Sequence, residues 1–81
     1  MWSELSAKDK KVLYAIADFT DQSIRILEIR NQLKMPSSLF SIYRDRLIKQ
    51  GLITMPQYGY LELSLPRFRE FIRMKRSFSE E

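Results

Sequence analysis

"SIYRDRLIKQGLI", residues Ser41 to Ile53, sets a charged Arg-Asp-Arg triplet in a helical pattern, closes it with Lys-Gln-Gly and passes at once into apolar residues. Tyr43 and Leu47 recur at the four-residue spacing of one helix face. Gly51 is the residue type that takes a left-handed backbone without penalty where a helix stops. The stretch therefore predicts a charged helix ending at Gln50, a glycine stop and a strand in immediate succession.

Upstream, "KMPSS" (residues 34–38) breaks the chain, because Pro36 is tolerated only in a first helical turn and disfavours helix at Met35. A helix before it holds Ile26, Ile29 and Leu33 on one side, with no clear cap at its start, and "SIRI" (residues 23–26) reads as a short strand leading into it. The first helix, Ser6 to Phe19, opens on Ser6 with Asp9 three residues on, a capping box with Asp in place of Glu. Val12, Ile16 and Phe19, flanked by Leu13 and Ala17, form its apolar stripe.

Downstream, "LITM" and "YLELSL" are separated by "PQYG" and read as a β-hairpin, with Leu61, Leu63 and Leu65 alternating with Tyr60, Glu62 and Ser64. Pro66 opens a last helix with Phe68, Phe71, Ile72 and Lys75 on one side and Arg67, Arg69, Arg73 and Arg76 around the rest. Residues 77–81, "SFSEE", are expected to be a disordered tail and residues 1–5 an N-terminal extension, leaving 6–76 as the domain. Trp2 is expected to cap the core edge.

Eighty-one residues leave room for one domain, and a 44% hydrophobic content with five Phe, four Tyr and one Trp fills a small core without staples. The absence of cysteine leaves no disulfide framework or thiolate site, and the cytoplasm is the expected compartment. No apolar run reaches bilayer length, and Met1 to Lys11 lacks the pattern of a signal peptide.

The order helix, short strand, helix, turn, helix, hairpin, helix is an α+β pattern. It is the layout of a winged helix-turn-helix, with a three-helix core, a hairpin wing and an additional C-terminal helix. "YRDRLIKQGLI" followed by "GYLELSLPRFREFI" resembles the winged-helix domain at the C-terminus of a group of prokaryotic AAA-type ATPases, over roughly Ser23 to Ile72. "DRLIKQGLI" is also similar to the third helix and wing entry of many winged-helix transcription regulators. The resemblance implies a DNA-binding module detached from an ATPase-like parent.

The chain itself is not expected to be an enzyme. With no His and no Cys, the usual zinc ligands and the Ser-His and Cys-His pairs are missing, so no metal or cofactor is expected. Gly51 and Gly59, its only glycines, are eight residues apart and build no phosphate loop. Glu62 and Glu70 read as solvated surface carboxylates.

Residues 34–76 carry nine basic side chains against three acidic ones, which suits a polyanion. At about 100° per residue, Leu39, Phe40, Tyr43 and Leu47 of the third helix turn to the core, Ser38, Ser41, Asp45 and Lys49 turn away, and Ile42 and Ile48 lie on the shoulders. Ser38, Ser41, Arg44 and Lys49 are the expected contacts to double-stranded DNA, with Asp45 opposing phosphate unless an arginine neutralises it. The wing has no Lys or Arg between Gly51 and Pro66, leaving Gln57 and Tyr58 as its candidate contacts. A second reading makes Ile42 and Ile48 the docking surface for another protein domain. Membrane-surface binding by the basic last helix is not expected, because the core needs its apolar side.

Overall fold

A computed structural model describes residues 2–79 of the chain. After a 3-10 turn at Trp2–Glu4, the elements run α1 (Ala7–Asp18), β1 (Ile24–Arg25), α2 (Ile26–Leu33), α3 (Ser37–Lys49), β2 (Ile53–Thr54), β3 (Tyr60–Leu63) and α4 (Phe68–Ser79). The strands form an antiparallel sheet in the order β1-β3-β2, with Ile24 opposite Leu61 and Ile53 opposite Leu63. Among the described residues, four helices on a small three-stranded sheet make an α+β arrangement, compatible with a winged-helix layout.

Both halves of the α1 capping box are present: the Asp9 N–H donates to Ser6 Oγ at 3.1 Å and the Ser6 N–H to Asp9 Oδ2 at 3.2 Å. Two helices end in the same backbone motif. After α3, the Gly51 N–H donates to the Ile48 carbonyl at 2.9 Å and the Leu52 N–H to the Leu47 carbonyl at 3.0 Å, with Gly51 at φ +77°. These are the paired bonds of a Schellman cap, and buried Leu47 and Leu52 supply its accompanying apolar pair. After α2 the same two bonds run from Lys34 to Asn31 (3.3 Å) and from Met35 to Arg30 (3.1 Å), but the left-handed residue is Lys34, at φ 55°, ψ 44°. An L-residue carries a steric cost there.

Leu13 and Ile16 of α1, Ile29 of α2, Phe40 and Leu47 of α3, Leu61 of β3 and Ile72 of α4 meet in one fully buried core. At roughly 1.5–3 kcal/mol for each large apolar side chain removed from water, this core is the main source of stability.

Several boundaries differ from the sequence reading. Trp2 does cap the core edge, against Tyr14 and Phe71, but Leu5 lies within the core, so residues 2–5 pack as part of the domain. Helix α4 starts at Phe68, not Pro66: the Phe68 N–H closes a turn on the Leu65 carbonyl at 3.2 Å, with Arg67 at φ 61°. Proline sets the second turn position and a left-handed residue the third, as a type II turn requires. Arg67 is therefore a turn residue. At its other end α4 continues through Ser77 and Phe78 to Ser79, residues expected in the tail, while Glu80 and Glu81 lie outside the described residues. Strand β3 stops at Leu63, which leaves Leu65 exposed beyond the pairing. Glu62 is half-buried and accepts a 2.8 Å hydrogen bond from Ser23 Oγ, a contact that ties β3 to the start of β1.

Candidate nucleic-acid interface

Helix α3 has two chemically distinct sides. Phe40 and Leu47 are fully buried, and Tyr43 and Ile48 pack half-buried against the core, so Ile48 is withdrawn from the outer shoulder where the sequence reading placed it. Leu39 is half-buried at the margin. Ser38, Ile42, Asp45 and Lys49, spaced four, three and four residues apart, line the exposed side.

The expected contacts are not equally available. Ser38 and Lys49 are exposed, and Lys49 forms no ion pair among the described residues. Ser41 is half-buried and donates its hydroxyl to the Ser38 carbonyl at 3.0 Å, leaving it an acceptor rather than a donor to a phosphate. Arg44 folds onto its neighbour, with Nε 3.0 Å and Nη2 2.9 Å from Asp45 Oδ1. That pair neutralises Asp45 and at the same time occupies the arginine meant for phosphate.

On the hairpin, the Tyr60 N–H donates to the Gln57 carbonyl at 3.1 Å, and Gly59 at φ +87° takes the turn position that demands a left-handed backbone. Gln57 is exposed, and Tyr58, 96% exposed, stands at the tip.

Three arrangements were not visible along the chain. First, Arg46 Nη2 lies 2.9 Å from Oδ2 of Asp9, a carboxylate buried completely. The capping box marked Asp9 as a helix-start residue, but nothing marked its partner. Second, Arg25 on β1 sits opposite Tyr60 on β3 and donates from Nε to the Tyr60 hydroxyl at 3.2 Å. The Tyr60 hydroxyl, and then Glu28, hold the Arg25 guanidinium above its ordinary pKa.

Third, the arginines of α4 converge on the end of α1. Arg73 Nε donates to the Ala17 carbonyl at 3.2 Å, Arg69 Nη2 to the Asp21 carbonyl at 2.8 Å, and Arg76 Nη1 to both Asp18 carboxylate oxygens at 2.8 Å. The last turn of a helix leaves carbonyls without intrahelical partners and carries partial negative charge, which cations stabilise. Much of the basic surplus in the second half thus serves to fasten α4 to α1.

Among the described residues no three His, Cys, Asp or Glu side chains gather as a metal site, and no helix is long and apolar enough to cross a membrane. A groove of about 580 Å³ runs along α1, lined by Lys10, Lys11, Tyr14, Asp18 and Arg76; Asp18 and Arg76 already bond each other there.

No curated protein and no solved structure matches the chain. One family model does, over residues 1–72, which runs from the packed N-terminal turn to Ile72 in the core of α4. The chain belongs to that family, DUF8462, a domain of unknown function.

Proposed function

We propose that the chain is a winged helix-turn-helix module that binds double-stranded DNA, with α3 against the major groove and the β2–β3 hairpin as the wing. Following the resemblance noted above, it serves as the C-terminal module of an ATPase-like parent and performs no chemistry of its own. The observation that carries this reading is the exposed side of α3. Ser38, Asp45 and Lys49 face solvent along a helix whose other side is anchored by Phe40 and Leu47. A helix anchored by one face, with polar side chains presented on the other, is the form that fits a groove.

Binding is expected to be electrostatic and sequence-tolerant, because the exposed donors are few and Arg44 is engaged by Asp45. Fluorescence anisotropy with unrelated labelled duplexes at two salt concentrations tests it. Lys49→Glu should weaken binding and lower the slope of log K against log salt by about 0.9 or more, since each neutralised phosphate releases a counterion. A parent chain that binds no duplex at low salt refutes the reading.

Ile42, 54% exposed in the middle of the same stripe, favours a second reading. A large apolar side chain there suits a protein-docking surface better than a phosphate backbone. On that reading Ile42→Asp abolishes partner binding and the parent ignores DNA.

A further inference from the structure

The hairpin has no cation of its own, yet a guanidinium stands beside it. Antiparallel pairing of β1 with β3 sets Arg25 opposite Tyr60, and the pairing continues into the hairpin loop, where the Ile26 N–H donates to the Gly59 carbonyl at 2.9 Å. Arg25 is thereby fixed next to the turn that carries exposed Tyr58. We propose that Arg25, oriented by Tyr60, is the phosphate-gripping residue of the wing, supplied by the first strand instead of by the hairpin. The inference rests on the DNA-binding reading and names a contact within it.

The geometry of the guanidinium carries the argument. Nε donates to the Tyr60 hydroxyl at 3.2 Å, which holds the plane by its inner edge. Nη1 and Nη2 have no partner among the described residues, and the side chain is exposed. Two Nη groups on one planar guanidinium can match two oxygens of one phosphate, the bidentate arrangement that lysine cannot reproduce. Glu28, in the first turn of α2, is the acidic group that acts on Arg25, but the two form no ion pair, so the guanidinium stays available. Tyr58, one residue before Gly59, adds a hydroxyl at the same end of the sheet.

The test is duplex anisotropy across a salt series with Arg25→Gln, Arg25→Lys, Tyr60→Phe and Glu28→Gln, and Arg67→Gln as a control of equal charge change on the turn before α4. Arg25→Gln should weaken binding roughly tenfold and lower the salt slope by about 0.9. Arg25→Lys should keep the slope while losing affinity, Tyr60→Phe should weaken binding less with the slope intact, and Glu28→Gln should strengthen it. If the parent binds duplex but Arg25→Gln changes the slope no more than Arg67→Gln, the wing assignment fails and the α3 reading stands. A parent that binds no duplex overturns both.

Discussion

Arg46, on α3, reaches across the domain to Asp9 in the first turn of α1, with Nη2 2.9 Å from a carboxylate oxygen that no solvent touches. Asp9 also accepts from the Ser6 N–H, so one side chain caps α1 and locks α3 to it. The other oxygen, Oδ1, has no hydrogen-bond partner among the described residues. Arg46→Ala is expected to destabilise the domain by about 1–3 kcal/mol, the cost of leaving a buried carboxylate without its charged partner, and Asp9→Asn in the same chain should recover part of it. The estimate stays below that for a fully buried pair because the arginine is about half exposed, at 49%. Urea denaturation of the two variants measures it; an Arg46→Ala midpoint equal to the parent's would show that water replaces the guanidinium.

Leu47 is a fold residue. It is fully buried, its carbonyl accepts the Schellman bond from Leu52, and it sits one turn from Tyr43 on the core side of α3. Leu47→Ala should cost about 2–5 kcal/mol, a large part of the stability of a small domain. Thermal denaturation followed by circular dichroism reads it, and a melting point within a few degrees of the parent would contradict the packing described here.

The two Schellman caps predict opposite signs. Lys34 holds a left-handed backbone at some steric cost, so Lys34→Gly should raise stability by up to about 1 kcal/mol, part of the gain being offset by the greater freedom of glycine when unfolded. Gly51 has open space around its missing Cβ, so Gly51→Ala meets no clash and should lose about 1–2 kcal/mol from backbone strain alone. Denaturation midpoints moving in the same direction for both would refute the cap assignment.

Asp45→Asn should strengthen duplex binding, because it removes a negative charge from the exposed side of α3 and frees Arg44 from its ion pair. The exposed pair itself contributes little to stability, at most about 1 kcal/mol, so folding should be unaffected. Anisotropy at two salt concentrations should show a steeper salt slope for the variant than for the parent; an unchanged slope would remove α3 from the interface.

Arg73→Ala should lower stability and leave duplex binding nearly unchanged once folding is matched, since its Nε is engaged by the Ala17 carbonyl. If binding falls while the melting point holds, α4 is part of the binding surface.

The elements of the chain were legible because their signals are local. Ser6 and Asp9 are three residues apart, the apolar stripe of α1 repeats within two turns, and Gly51 follows its helix directly; each can be read within a window shorter than one element. The left-handed Lys34 and Arg67 were not, because neither residue type signals a positive φ and only the surrounding packing imposes it. The partners of the arginines escaped for a related reason. Arg25 meets Tyr60 across 35 residues of chain, Arg46 meets Asp9 across 37 and Arg73 meets Ala17 across 56. Long, charged side chains obey no short period, and their destinations depend on how the helices and strands come together. Sequence alone therefore determined where a charged helix and a hairpin would form. Tertiary structure decided which charges are engaged, tying Arg46 to Asp9 and Arg73 to Ala17 across the domain and bringing Arg25 to the hairpin.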